Sequence, residues 1–150
     1  TMRMVQKGIV TGLGTDGYTH DMIESYKAAN ILHKHHTCNP NAAWTEVPKM
    51  LFSNNAAIAN RYFEKPLGVL KEGAAADIIV TDYIPLTPMD ASNVNSHILF
   101  GMNGRSVVTT VINGRVVMKD RSLISIDEEK VMYECRQEAE RLWNTINGWR

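Results

Sequence analysis

The hydrophobic and polar positions of this 150-residue chain predict helices in its first half and a small sheet in its second half. Residues 8–13 (GIVTGL) form a short apolar run rich in β-forming residues, which predicts a strand. A glycine turn follows, and helical spacing then begins with Thr19 or Asp21 as the candidate N-cap. The positions at helical spacing are Met22, Tyr26, Ala29 and Leu32.

The helical half continues beyond this first long helix. Asn39-Pro40 is expected to end it, because proline cannot continue a helix that precedes it. Two further helical stretches are predicted over 41–52 and 54–63, separated by the polar pair Ser53-Asn54. Pro66 closes this block.

From residue 67 onward the pattern becomes that of a β unit. Strand-like runs occupy about 76–82, 107–112 and 115–119, and Asn113-Gly114 between the last two is a strong signal of a two-residue hairpin. Asp127 then caps a final helix, 127–147, which is expected to pack an apolar stripe against the rest of the protein. The stripe consists of Val131, Cys135, Ala139, Leu142, Trp143 and Ile146.

Composition narrows the class of partner. Hydrophobic residues make up 44% of the chain, which is enough for a core, and 16 basic residues balance 16 acidic ones. Without a net field, nucleic acid and anionic membranes are disfavoured as partners and a small-molecule substrate is favoured. The sequence has no apolar stretch of membrane-spanning length and no signal-peptide pattern at its start, so a cytoplasmic location is expected. Cys38 and Cys135 are expected to be reduced, buried thiols.

The turn after the first apolar run carries the most informative residues. Gly12, Gly14 and Gly17 spell G-x-G-x-x-G, the pattern of a dinucleotide-binding loop. Asp16 lies inside that turn, however, and its carboxylate would repel a pyrophosphate. The segment that follows is also helical and supplies no second parallel strand ending in an acidic residue. Nucleotide binding is therefore disfavoured.

Two interpretations of Asp16 remain open from spacing alone. A strand that ends in a glycine-rich turn can present a carboxylate to a divalent metal, as the catalytic ends of β/α barrels do. Alternatively, Asp16 only stabilises the turn or caps the helix that follows.

A second candidate metal motif is HKHH at 33–36. His33 and His35 copy the spelling His-x-His, and three imidazoles can bind zinc when their geometry converges. The segment is predicted to end a helix, where residues two apart point in nearly opposite directions. Cationic side chains are favoured there by the helix dipole, so a structural role is preferred for this segment. His20 is assigned to the surface at a helix start, and His97 is assigned no chemistry.

Three motifs, in order, resemble those of one enzyme family. VTGLGTDG at 10–17 resembles the last barrel strand and metal-ligand turn of the amidohydrolase superfamily, in the branch of aminohydrolases, chlorohydrolases and guanine-type deaminases. PLGVLKEGAAADIIVTD at 66–82 resembles the segment that leads from the barrel into the C-terminal β domain. VVTTVINGRVVMKD at 107–120 resembles the closing hairpin. YIPLTP at 83–88 and SHILFG at 96–101 are similar to aminohydrolases associated with selenium metabolism.

The resemblance implies an incomplete α/β fold. Residues 1–66 would be the end of a metal-dependent (β/α)8 barrel, with strand 8, helix 8 and extra helices. Residues 67–126 would be a small β-sandwich portion, and residues 127–150 a C-terminal helix. Enzymes of this family have about three times this length, with an early His-x-His and two later histidines on other barrel strands. The chain is therefore expected to be the C-terminal part of an enzyme.

The resemblance also implies the chemistry. Asp16 would be both a metal ligand and the catalytic residue that accepts a proton from metal-bound water, in a turn shaped by Thr15 and Gly17. The cofactor would be one divalent ion, zinc or iron. The reaction would be hydrolysis or deamination at a C–N or C–Cl bond of a small cyclic compound, purine-like or triazine-like. The expected partners are the missing N-terminal barrel portion or another chain, together with a homo-oligomer; a non-catalytic assembly module is the alternative function.

Overall fold

The computed structural model describes residues 2–149. Six α-helices, a π-helical segment, a 3-10 turn and four strands make up this part of the chain. The helices are α1 (Met2–Gln6), α2 (Met22–Thr37), α3 (Glu46–Pro48), α4 (Asn55–Ala59), α5 (Val94–Gly101) and α6 (Glu128–Asn147). The π-helical segment is Lys49–Asn54 and the 3-10 turn is Gly104–Ser106. The strands are β1 (Ile78–Thr81), β2 (Val107–Ile112), β3 (Arg115–Lys119) and β4 (Ser122–Leu123).

Helix α2 confirms the predicted first long helix. The Asp21 side chain is its N-cap and accepts hydrogen bonds from the backbone N–H groups of Ile23 and Glu24. The helix ends before Asn39-Pro40, with Cys38 in the left-handed conformation (φ 49°) as its C-cap. Local signals were enough to place this helix because both of its caps lie in adjacent sequence.

The core lies where α2 meets α3 and α5. Tyr26, Ala43, Val47 and Leu99 are buried together, and the Tyr26 hydroxyl donates to the backbone oxygen of Asn95 across a 3.3 Å distance. Helix α5 was not predicted from the pattern, although its segment contains the apolar run Ile98–Phe100. Within residues 2–149, no helix combines the length and the apolar content needed to cross a membrane.

The predicted helix break at Ser53-Asn54 is wrong. Helix α3, the π-helical segment and α4 follow one another without interruption from residue 46 to residue 59. Asparagine disfavours helices because its side chain competes for nearby backbone groups. Here the amides of Asn54 and Asn55 bond instead to the distant segment 11–13, so that competition is removed.

The predicted strand over 8–13 is also wrong for the part of the chain that the structure describes. The segment has no strand assignment and lies outside the four-stranded sheet. A strand requires a neighbouring strand for its backbone hydrogen bonds, and residues 2–149 supply none at this position. The Thr11 and Leu13 backbones bond to side-chain amides instead.

The predicted β unit is confirmed. Strands β1 to β4 form an antiparallel sheet in sequence order, and Ile78 faces Val111 in the register of β1 and β2. Asn113 and Gly114 connect β2 to β3 with φ values of 48° and 79°. Two successive positive φ values are what a type I′ hairpin requires, so this dipeptide predicted its own turn correctly.

Helix α6 is confirmed as a helix, but its predicted packing is wrong. The Asp127 side chain caps it by accepting from the Lys130 N–H, as expected. None of its described residues is buried, and Leu142 and Trp143 remain 57% and 60% exposed. Periodicity reports which face of a helix is apolar; it does not supply the surface that covers that face. Cys135 on this stripe and Cys38 are free and exposed, so the expected burial of the two cysteines is wrong as well.

Candidate functional site

Asp16 lies in a tight turn at the end of the 8–14 segment. The Tyr18 N–H donates to the Thr15 carbonyl oxygen at 3.3 Å, which closes the turn around Asp16 and Gly17. Asp16 has a φ of 49°, in the left-handed region that non-glycine residues rarely occupy. Its carboxylate is exposed, and Oδ1 accepts a hydrogen bond of 2.6 Å from the Gly17 N–H. The turn therefore holds a carboxylate at the surface in a backbone conformation that costs energy.

The glycines of this turn serve different purposes. A Cβ added to Gly14 or Gly17 would meet nothing within 4 Å, so the space around the turn is open. A Cβ on Gly12 would lie 2.1 Å from the Asn55 Oδ1 atom, so glycine is required there for the close approach of that amide. The Gly17 amide, which a phosphate cradle would direct at its ligand, is already bonded to Asp16. This geometry argues against a dinucleotide loop.

Asp16 has the donor chemistry of a metal ligand. A carboxylate oxygen is a suitable ligand for zinc or iron, and this one is exposed at an open turn. Among residues 2–149, however, no three His, Cys, Asp or Glu side chains come together in a group that could hold a metal ion. A metal ion at Asp16 would therefore need further ligands from beyond the described residues.

The HKHH segment lies at the C-terminal end of α2. The His33 Nδ1 atom is 2.6 Å from the Ala29 carbonyl oxygen one turn earlier, and His35 and His36 are exposed. Lys34 donates to the Pro40 and Ala42 carbonyl oxygens at 2.7 and 2.6 Å. Desolvation lowers the pKa of Lys34 below its ordinary value, opposed by the Glu46 carboxylate. The contacts of this segment hold the loop after α2.

Two histidines line cavities outside the Asp16 turn. His20 lines an open cleft of about 630 Å³ between the start of α2 and the sheet, as expected for a residue at a helix start. His97 lines another cavity of about 620 Å³, where its Nδ1 atom is 2.8 Å from the Tyr83 hydroxyl. Sequence reasoning missed the Tyr83–His97 pair, because two residues 14 positions apart in a loop and a short helix carry no spacing signal.

Comparison with protein families matches residues 2–117 to the amidohydrolase family. The chain belongs to the amidohydrolase family. The resemblance carried by the 10–17, 66–82 and 107–120 motifs is thereby confirmed.

Similarity to individual deaminases extends the match over nearly the whole chain. A 5'-deoxyadenosine deaminase from Methanosarcina barkeri is 34% identical over 97% of this chain and 34% of its own length. A 5-methylthioadenosine/S-adenosylhomocysteine deaminase from Halothermothrix orenii is 39% identical over 93% of this chain and 33% of its own length. The chain therefore spans about a third of the length of these curated relatives.

A solved structure shares the fold. An adenosine deaminase from Xanthomonas campestris, crystallised with bound zinc, matches 82% of this chain and 28% of its own with a TM-score of 0.67. The sequence identity is 21%, so this likeness bears on the fold alone. The family match and this neighbour agree with the predicted α/β class of a barrel enzyme. The described residues themselves contain helices and a four-stranded sheet.

Proposed function

We propose that this chain supplies the Asp16 end of the active site in a metal-dependent hydrolase that deaminates a small purine-like compound. The observation that carries the proposal is an exposed carboxylate held at a φ of 49° in an open turn, in a member of the amidohydrolase family. Residues held in the left-handed region cluster at active sites, and turns and caps such as those at Asn113 and Cys38 adopt it as well, so the family match is needed beside the geometry. The names of the relatives favour an adenosine derivative over a triazine or a halogenated ring.

The proposed reaction is hydrolysis of a C–N bond. Water adds to the ring carbon that bears the amino group, the C–N bond breaks, and ammonia leaves after the nitrogen is protonated. The Asp16 carboxylate is positioned at the surface to accept a proton from the attacking water and to hold that proton for transfer. A bound divalent ion would supply the acidity, because it lowers the pKa of a coordinated water to about 7, far below that of bulk water. Zinc is favoured over iron by the zinc in the Xanthomonas campestris neighbour.

The remaining ligands and acid–base residues are proposed to come from other barrel strands, either in the same gene product or in another chain. Two features of the described residues support a missing partner. The Thr11 hydroxyl is buried without a hydrogen-bond partner within the described part of the chain, at a cost of about 1–3 kcal/mol. The apolar face of α6, which contains Leu142 and Trp143, is exposed.

Replacing Asp16 by asparagine in the complete gene product tests the ligand role. Asp16→Asn removes the charge and keeps the shape, so ammonia release from adenosine and 5'-deoxyadenosine should fall by orders of magnitude, because the metal would lose a carboxylate ligand and the attacking water would lose its proton acceptor. The zinc content should fall with it, while the unfolding free energy changes little. The 150-residue chain alone should show no turnover that scales with its concentration, because a lone carboxylate binds a divalent ion weakly.

Asp90→Asn is the matched control. Like Asp16, Asp90 is an exposed aspartate whose Oδ1 atom accepts a hydrogen bond from a nearby backbone N–H, in this case that of Ser92. Its replacement should leave turnover unchanged. Near-parental turnover and zinc content in Asp16→Asn would leave Asp16 with a turn-stabilising role only. Turnover by the isolated chain would contradict the proposed need for other strands.

A non-catalytic assembly module is the alternative. The exposed apolar face of α6, without a buried residue among those described, favours it. Zinc binding by the complete gene product with loss in Asp16→Asn would decide for the enzyme. Absence of both zinc and turnover would decide for the assembly module.

A further inference from the structure

The segment that leads to Asp16 is held by two side-chain amides. Asn55 Oδ1 accepts a 2.9 Å hydrogen bond from the Leu13 N–H, and Asn55 Nδ2 donates to the Leu13 carbonyl oxygen, also at 2.9 Å. Asn54 Nδ2 donates to the Thr11 carbonyl oxygen at 2.8 Å. We call Asn54 and Asn55 the amide clamp.

The clamp satisfies backbone groups of two alternate residues, Thr11 and Leu13. In a β-strand, the N–H and C=O groups of residues two apart point towards the same edge, so a strand at this position would present the Thr11 and Leu13 groups on one edge. A neighbouring strand would normally bond this edge. Here the two amides bond it, and the partly buried hydrogen bonds to Leu13 span 42 residues in sequence.

The clamp requires a glycine at position 12, because the Asn55 amide packs closely against it. A Cβ at Gly12 would lie 2.1 Å from Asn55 Oδ1, while the Ile58 Cδ1 atom would be 3.3 Å away. Any residue larger than glycine would therefore displace the Asn55 amide from Leu13. The sequence places glycine and asparagine at the two positions where their combination permits the contact.

The clamp lies close to Asp16 in the chain. Leu13 is fixed three residues before Asp16, and the intervening Gly14 has open space around it. Asp16 is exposed and its carboxylate bonds to the adjacent Gly17 N–H, so its turn depends on the segments that enter and leave it. On the leaving side, Asp21 fixes the start of α2.

From this arrangement we infer that Asn55, assisted by Asn54, is a positioning residue for the Asp16 carboxylate. The inference rests on the proposed function, because it assigns to Asn55 the task of holding the proposed metal ligand. Asn55 itself bonds to Leu13, 2.9 Å away, and acts on Asp16 only through the backbone of residues 13–16.

The first experiment measures the clamp without any catalytic readout. In the chain described here, Asn55→Ala should raise the hydrogen-exchange rate of the Leu13 amide about tenfold, the loss expected for one backbone hydrogen bond. It should also shift the carboxyl carbon-13 resonance of Asp16. Asn55→Asp retains an acceptor for the Leu13 N–H, so it should restore most of the exchange protection.

The chain offers a closely matched control. The Asn60 side chain makes the same pair of hydrogen bonds to the Leu67 backbone. Its Oδ1 atom accepts from the Leu67 N–H at 2.8 Å, and its Nδ2 atom donates to the Leu67 carbonyl oxygen at 3.3 Å. Asn60→Ala should therefore raise exchange at Leu67 and leave the Leu13 amide and the Asp16 resonance unchanged.

A double-mutant cycle tests whether Gly12 and Asn55 act together. Gly12→Ala alone should expose the Leu13 amide to exchange as much as Asn55→Ala does. Added to Asn55→Ala, it should change the rate less than about twofold, because the displaced amide is already absent. Independent, multiplying effects would overturn the clamp.

The second experiment separates positioning from a structural role. In the complete gene product, Asn55→Ala should lower kcat about ten- to a hundredfold with little change in KM, because a ligand displaced by about 1 Å weakens the chemical step. Faster Leu13 exchange with an unchanged Asp16 resonance and unchanged kcat would overturn the inference and leave the proposed function intact. Full activity of Asp16→Asn would instead overturn the proposed function, whatever the exchange data show.

Discussion

Replacing Asp21 tests whether one carboxylate joins the start of α2 to the β unit. Its Oδ1 atom accepts from the Ile23 and Glu24 N–H groups at 2.8 and 3.2 Å, and its Oδ2 atom accepts from the Gly104 N–H at 2.7 Å. The two oxygens thus serve two elements that are 83 residues apart. Asn retains a capping oxygen and loses the second acceptor, whereas Ala loses both.

The expected costs follow from these contacts. Loss of an N-cap costs about 1 kcal/mol, and loss of a hydrogen bond to a charged acceptor costs about 1.5 kcal/mol when the contact is exposed, as it is at Gly104. Asp21→Asn should therefore lower the unfolding free energy by about 1.5 kcal/mol and Asp21→Ala by about 2.5 kcal/mol. Urea unfolding followed by circular dichroism measures both values, and hydrogen exchange reports the Gly104 amide in each variant.

Asp127→Ala serves as the control for this pair. Asp127 caps α6 through Lys130, and α6 has no buried residue among those described, so its loss should fray the helix start with little effect on the global transition. Equal destabilisation by Asp21→Asn and Asp21→Ala would show that the cap contributes nothing. Protection of the Gly104 amide that survives in both variants would refute the proposed link between α2 and the β unit.

Two further predictions concern surface contacts. The hydrogen bond from the Arg121 guanidinium holds the pKa of Asp82 below its ordinary value, so the stability that it contributes is present above about pH 4 and is lost as the pH falls through the depressed pKa. Arg121→Gln should raise the Asp82 pKa in a carbon-13 titration; an unchanged titration would refute the pairing. Trp143→Ser should change the unfolding free energy of the chain by less than about 0.5 kcal/mol, because the side chain is exposed, while lowering the sedimentation coefficient of a homo-oligomer that uses this face. If the chain forms a homo-oligomer whose sedimentation coefficient does not change in Trp143→Ser, the α6 face is excluded from its interface.

Elements whose signals are local were predictable from the sequence. The cap at Asp127 and the dipeptide Asn113-Gly114 each determine a structure within a few residues, and the structure contains both. The same applies to α2, whose start at Asp21 was one of two predicted caps. Capping and turn chemistry act through adjacent backbone groups, so these predictions do not depend on the rest of the fold.

Features that depend on distant residues were not predictable. The Asn55 contact with Leu13 links positions 42 residues apart, and nothing in the spacing of SNN at 53–55 indicates it. Asp16 itself was singled out by its place in a glycine turn, and the choice between ligand and turn-stabiliser came only from the family motif. A single carboxylate does not identify the ligands that other segments would bring to it.

The wrong predictions for 8–13 and for α6 have one physical cause. Both segments are apolar. The 8–13 segment was expected to be a strand, which needs neighbouring strands for its backbone groups, and the apolar face of α6 was expected to pack against the rest of the protein. Residues 2–149 bury Tyr26 to 1% exposure but leave Trp143 60% exposed, so the available core covers the part of α2 around Tyr26 and does not reach α6. At 11–13 the amide clamp supplies hydrogen bonds to the Thr11 and Leu13 backbones, so these groups are satisfied without a neighbouring strand. If other barrel strands bind as proposed, the two segments should respond differently: the 8–13 backbone should gain hydrogen bonds to a neighbouring strand, whereas α6 should lose most of its exposed apolar area.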